Sequence, residues 1–180
     1  MRWISKSDAL VLVEAERAAI EERFHGCAMC ACVAGVPRAR AVLASNAAAV
    51  AMLDRFAARP GHVVVVLRRH VEAIAELSWE EHAGVQRLAW EAARALSEVV
   101  SPVRVYVAAL GSSKAIGISF PHHHVHVIPL ADGGEMDRPA EVLTWRHGIH
   151  VFEAGEEEAF AERLRAAWPA PVPAPSAEVG

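Results

Sequence analysis

Apolar positions change rhythm several times along the 180-residue chain. Near the start, Leu10, Val13, Arg17 and Ile20 follow a helical period, which predicts a helix capped by Ser7 and running to about Phe24. The stretch HGCAMCACVAG and then Pro37 interrupt it. RAVLASN and AVAMLD read as two short strands. HVVVVL, His62 to Leu67, is a strand, because four successive β-branched side chains favour the pleated state. SWEE, Ser78 to Glu81, is a capping box opening a helix to about Val100, where Pro102 prevents continuation. VRVYVAAL alternates as a strand, GSSKAIG is a loop, and HHHVHVI is a strand closed by Pro129. Past ADGGEMDRP the period fades until EEEAFAERLRAAW predicts a last helix, its three glutamates suiting a helix N-terminus. Strands broken by a single long helix predict an α+β domain with a mostly antiparallel sheet. Its expected extent is residues 1–168, of which 1–25 form a helical extension; the Pro/Ala-rich end, 169–180, is expected to be disordered.

Composition narrows the function. The chain is 53% apolar, ample for one core, with net charge −4 and a pI near 6.2. No broad basic face is implied, so a nucleic-acid partner is not expected, and phosphate would be bound by a few local donors. Glu14 and Glu16 fall inside the most apolar part of the start, against a secretory signal, and no run approaches the ~20 apolar residues of a membrane span. Three cysteines, an odd number, argue against a disulfide framework and for a reducing cytoplasm.

The chemistry concentrates in SFPHHHVHVIPL, Ser119 to Leu130. In a strand, alternate side chains share a face, so His122, His124 and His126 are expected to form a row spaced roughly 6.5–7 Å apart. A core has no use for adjacent imidazoles, which must be hydrogen-bonded or charged. The plain alternatives are a surface cluster and an adventitious metal binder. The apolar frame of Phe120 and Pro129, and the small-residue loop Gly117-Ile118-Ser119 before it, argue against both.

His122-His123-His124-Val125-His126-Val127-Ile128 resembles the motif of the histidine triad (HIT) family of nucleotide hydrolases and transferases. LDRFAARPGHVVVVLRRHVEAIAELSWEE resembles the family's approach to it: an aspartate, a turn, Gly-His before an apolar strand, then a basic pair, a histidine and a capped helix. The likeness covers roughly Cys27 to Leu130 and implies a HIT-like fold, a sheet of about five strands packed with a long helix. It implies cleavage at a nucleotide α-phosphorus through a covalent nucleotidyl-histidine. His124 would be the nucleophile, one ring nitrogen held and the other presenting its lone pair. His126 would bind phosphate oxygens, Ser119 would hydrogen-bond phosphate or leaving group, and Gly117 and its neighbours would add backbone N–H donors. His62 matches a fourth family histidine beside the triad, or simply ends a strand. Asp54 matches the acid that accepts from ribose hydroxyls, or caps a turn. Phe56 and Leu53 either line the base pocket or are ordinary core.

Cys27-x-x-Cys30 is half a zinc site. The family's zinc-carrying branches imply the other half, His70 and His122, giving a closed Cys2His2 structural Zn2+ site that spares His124; the alternative is two buried thiols. Cys32 reads as a plain apolar residue. No organic cofactor is implied. The chain departs from the family's pattern at Ile118 (often glutamine), near Gly111 (Asn or Gln), at His123 (aliphatic) and at Leu130 (arginine), changes that bear on rate and substrate. Lys114 is read as a solvated loop lysine. The implied partners are a purine nucleotide or dinucleotide and a second copy of the chain in a homodimer. A catalytically weak nucleotide-binding module and a metal protein using the whole triad stand as alternatives. Trp145, His147 and His150 lie outside the likeness, with no role assigned.

Overall fold

The computed structural model describes residues 1–36, 41–111 and 120–170. Ser119, Gly117, Ile118, Lys114 and the tail from 171 onward therefore lie outside the described residues. Five strands, β2 (Val42–Ser45), β3 (Ala49–Leu53), β4 (Val63–Leu67), β5 (Arg104–Ala108) and β6 (His124–Leu130), form one antiparallel sheet in the order β2-β3-β4-β6-β5. With helix α3 (Trp79–Val100) this is the α+β, HIT-like arrangement expected.

Every residue of β3 and β4 is buried, because both faces of the sheet are covered. On one face Ala49, Ala51, Leu53, Val63, Val65, Val125 and Val127 meet the apolar stripe of α3, which includes Val85, Leu88, Ala92 and Leu96. Burying each valine or leucine of this layer contributes roughly 1.5–3 kcal/mol. α3 starts as its sequence requires: Ser78 Oγ accepts from the Glu81 N–H, and the Glu81 carboxylate accepts from the Ser78 N–H. Helix α5 (Glu156–Ala166) adds Ala161 and Leu164 to the same core.

The other face is covered by elements that precede β2 and by the segment that follows β6. Helix α1 (Lys6–Phe24) lays Ala9 and Val13 against Phe56, Ile128, Leu130, Trp145 and Ile149. Short helix α2 (Ala28–Val33) puts Met29 on Val50, Met52, Val64 and Val66. Strand β1 (Arg2–Ile4) pairs with β7 (Ile149–Val151), and helix α4 (Pro139–Leu143) adds Val142.

Three expectations are corrected. The α1 cap is Ser5, whose hydroxyl accepts from the Asp8 N–H, so the helix begins before Ser7. β6 starts at His124, not His122, because the His123 N–H turns aside to the Val71 carbonyl. Pro129 lies inside β6 and does not close it. The ladder to β4 ends at Val63↔Val127, so at Pro129 only β5 is alongside and the missing N–H disrupts no central pairing. The described residues hold no helix long and apolar enough to cross a membrane.

Candidate active site and metal centre

Alternation along β6 puts Val125 and Val127 under α3 and turns His124 and His126 to the opposite face, their ring centroids 4.8 Å apart. The third imidazole beside them is not His122 but His62, at the start of β4, 5.1 Å from the His126 ring. His122 precedes the strand, and its ring packs against His70, 5.1 Å away. The expected row of three is thus a corner of three built from two strands.

Hydrogen bonds fix where each proton sits. His124 Nδ1 lies 2.6 Å from the His122 carbonyl oxygen, which can only accept. Nδ1 therefore carries the proton and Nε2 keeps a free lone pair. The Ala58 N–H donates to His62 Nδ1 at 3.2 Å, so His62 carries its proton on Nε2 and donates it to His126 Nδ1 at 3.0 Å. His126 is left with N–H on its outer nitrogen, Nε2. The same face thus presents one nitrogen that can attack and one N–H that can bind an anion.

Burial keeps these rings neutral. It pushes His126 down to about 3, helped by the neighbouring His62 and His124. Burial also lowers His62 and His124, and the Asp54 carboxylate only partly offsets it. Asp54 is buried, Oδ1 accepting from the Phe56 N–H at 2.9 Å and Oδ2 lying 3.5 Å from His62 Nδ1. Two acceptors facing each other share no proton, which agrees with a neutral His62. Asp54, His62 and His126 lie close enough to hold an ion. Their ring nitrogens point at one another in a hydrogen bond, however, and not at a common centre.

Phe56 stands on the site's face, its ring 5.9 Å from that of Trp145 of the same chain. Leu53 does not: it is fully buried beneath α3 and belongs to the core. Phe120 meets the His124 ring edge-on at 6.5 Å, and the Arg17 guanidinium lies 5.3 Å over Phe120. Sequence reasoning gave Phe120 and Arg17 no role at the site. The signal for Arg17 was its place on the inward stripe of α1. His123 is buried on the helix side, and its Nε2 has no hydrogen-bond partner among the described residues. His147 Nε2 pairs with Glu141, and His150 lies opposite Trp3 in the β1–β7 pairing, its backbone N–H and carbonyl bonded to Ala57.

Cys27, Cys30, His70 and His122 converge. Each sulfur lies 3.3 to 3.5 Å from each Nδ1, and the two Nδ1 atoms are 3.2 Å apart. A tetrahedral ion with bonds of about 2.3 Å to sulfur and about 2.05 Å to nitrogen requires roughly 3.5 Å and 3.3 Å for these spacings, so the set fits. His122 Nε2–H donates to the Leu67 carbonyl at 2.7 Å, which turns the Nδ1 lone pair toward the thiols. Burial, then hydrogen bonding to Cys27 and its charge, push the Cys30 thiol up to about 12. Two adjacent thiolates here would need a cation, and four protein donors would leave it no open position. Cys27 caps α2, its Sγ accepting from the Cys30 N–H at 3.4 Å, so the CxxC spacing is set by a helix start.

Comparison with known proteins follows the same lines. A family profile described as HIT domain matches residues 38–133. No curated protein matches the chain. Among solved structures, the chain resembles a zinc-bound histidine triad family protein from Mycobacterium smegmatis, with TM-score 0.59, 22% identity, and 78% of this chain and 91% of that one covered. A hypothetical histidine triad nucleotide-binding protein from Sulfolobus tokodaii gives TM-score 0.61 and 17% identity over 78% and 91%. Diadenosine triphosphate hydrolase from Plasmodium falciparum gives TM-score 0.56 and 15% identity over 71% and 76%. At these identities the likenesses show the fold.

Proposed function

The chain belongs to the histidine triad family, and we propose that it is a nucleotide hydrolase or nucleotidyltransferase acting through a nucleotidyl-histidine. The observation that carries this reading is the 2.6 Å bond from His124 Nδ1 to the His122 carbonyl, which leaves the Nε2 lone pair unprotonated on the sheet face opposite α3. In the first step the Nε2 lone pair attacks the α-phosphorus, forming a P–N bond. The bond to the leaving group breaks, and its electron pair departs with that group. In the second step the oxygen of water, or of another acceptor, bonds to phosphorus as the P–N bond breaks; that pair returns to Nε2 and the acceptor's proton passes to the leaving group or to solvent. The His126 Nε2–H binds a non-bridging phosphate oxygen, and the His62 Nε2–H keeps it so oriented.

Asp54 accepts from the ribose hydroxyls and Phe56 walls the base. Ser119 and Gly117 serve the phosphate, as the family resemblance implies. A purine nucleotide or dinucleotide is the proposed substrate, in keeping with the nucleotide-binding protein and the diadenosine triphosphate hydrolase that share the fold. Zinc is the proposed ion for Cys27, Cys30, His70 and His122, where it would supply charge to two thiolates and tie α2 to the strands beside the triad. Exposed Val107 in edge strand β5, with Val103 and Leu110 flanking it, supports a homodimer, and three unbridged cysteines support the cytoplasm.

Intact-protein mass spectrometry tests this reading. Native protein and His124→Asn are incubated with adenosine phosphoramidate or diadenosine triphosphate and quenched in base. The expected result is a mass gain of one nucleotidyl group in the native protein alone. No adduct and no turnover, with binding intact, would overturn catalysis and leave a nucleotide-binding module.

A further inference from the structure

The loop joining β3 to β4, residues 54–62, begins at Asp54 and ends at His62. Between them lies Ala58, whose N–H sets the His62 tautomer. Ala58 is gripped from both sides. On one side Ala57 bridges to β7: the Ala57 N–H donates to the His150 carbonyl at 3.2 Å, and the His150 N–H donates back at 2.7 Å. On the other side the Arg59 guanidinium donates to Asp137 Oδ1 at 2.8 Å, to the Ala58 carbonyl at 2.7 Å and to the Met136 carbonyl. Asp137 is itself held, Oδ2 accepting from the Gly133 N–H at 3.1 Å and its carbonyl from the Tyr106 hydroxyl at 2.9 Å. The ion pair is buried, with side chains 14% and 6% exposed. A buried pair is often no more stabilising than an apolar replacement, so stability alone is weak reason for one here. Met136, Asp137 and His150 all lie beyond residue 133, outside the HIT domain match.

We propose that the Arg59–Asp137 pair is a positioning device for the triad, supplied by the segment after β6, which holds the Ala58 N–H on His62 Nδ1 and so sets the direction of the His62–His126 hydrogen bond. This rests on the function proposed above. Asp54 is the competitor for the proton: its Oδ2 sits 3.5 Å from His62 Nδ1 and would accept from it. If the Ala58 N–H swings away, His62 can protonate Nδ1 toward that carboxylate. His62 Nε2 then becomes an acceptor, His126 must donate from Nδ1, and His126 Nε2 faces the phosphate as a lone pair. The anion loses its donor with no catalytic side chain removed. Arg59 and Asp137 touch neither substrate nor the reacting atoms; they act through His62.

The test uses full-length Arg59→Gln with nitrogen-15-labelled histidine. The His62 ring signals are identified by their disappearance in His62→Gln. The expected spectrum shows His62 as the Nε2–H tautomer in the native protein and shifted toward Nδ1–H in Arg59→Gln. With diadenosine triphosphate, kcat should fall roughly 10- to 100-fold while KM stays within about two-fold, the scale of a misplaced catalytic group. In a His62→Gln background, Arg59→Gln should lower kcat by less than about two-fold further. Arg59→Lys keeps the ion pair but loses the guanidinium fork, so it should fall between, and it serves if Arg59→Gln does not fold. An unchanged His62 tautomer in a folded variant, or fully additive kcat losses, would overturn the inference. If the native protein turns nothing over, the reading of function fails while the tautomer spectrum still decides this one.

Discussion

Replacing His126 with glutamine should flatten the dependence of stability on pH by about one proton. In the folded protein His126 is held neutral down to about 3 by burial and by His62 and His124. In the unfolded chain it protonates near 6.5. As pH falls below 6.5 the unfolded state takes up a proton that the folded state refuses, so stability is complete above 6.5 and is lost progressively down to about 3. Each pH unit in that window costs about 1.36 kcal/mol, or about 2 kcal/mol at pH 5 relative to pH 8 for this one ring. His62 contributes with the same sign, because its pKa is also lowered. Carboxylates with depressed pKa values, such as Glu81 at about 2, act in the same direction but only below about 4.5, so the interval from pH 6.5 to 5 belongs to the histidines. Glutamine can accept from the His62 Nε2–H and preserve that contact. Urea unfolding of native protein and His126→Gln, at matched zinc saturation from pH 8 to pH 5, isolates the difference. A gap growing by about 2 kcal/mol is expected. Parallel curves would mean that folded His126 is charged, and the tautomer chain from Ala58 would be refuted.

Two further outcomes follow from geometry already described. Cys27→Ser should abolish stoichiometric metal binding measured by elemental mass spectrometry, whereas His124→Asn should retain it; loss in both would support an ion held by the triad itself. Gly148→Ala should lower the melting temperature by about 4–8 °C, about 2 kcal/mol, because Gly148 sits at φ +82° where a Cβ would strike the Ile4 carbonyl and lie 2.6 Å from Trp3, and an unchanged melting temperature would show that the β1–β7 contact carries little weight.

The central sheet was legible because its signals are local. Four valines, a capping box and a histidine-spaced strand each announce themselves within a few residues. The Cys2His2 cluster was legible only through the family resemblance, since nothing local relates Cys27 to His122. What stayed hidden depends on pairing over distance. β1 and β7 are three residues each and carry no period to read. The start of β6 was misplaced because the ladder is broken by the Val71 carbonyl, a neighbour only in space. Leu53 and Asp54 adjoin in sequence yet face opposite sides of the sheet, so a residue suited to a pocket by type is core by register. Arg59 reads as one more loop arginine until Asp137 is seen beneath it.

The pairing of Arg2 with Val151 bears on how the chain reaches this form. β1, at residues 2–4, finds its partner only once residues 149–151 have been made. The five-stranded sheet and α3, complete by Leu130, can assemble before that partner leaves the ribosome. Contacts of such sequence separation are slow to close, so β1 and α1 are expected to dock late. Until they do, the face bearing His124 and His126 lacks part of its cover, and β7, which braces Ala57, lacks its own partner strand. Competence at the site is then the last thing this fold acquires, and the first it loses when β1 and β7 come apart.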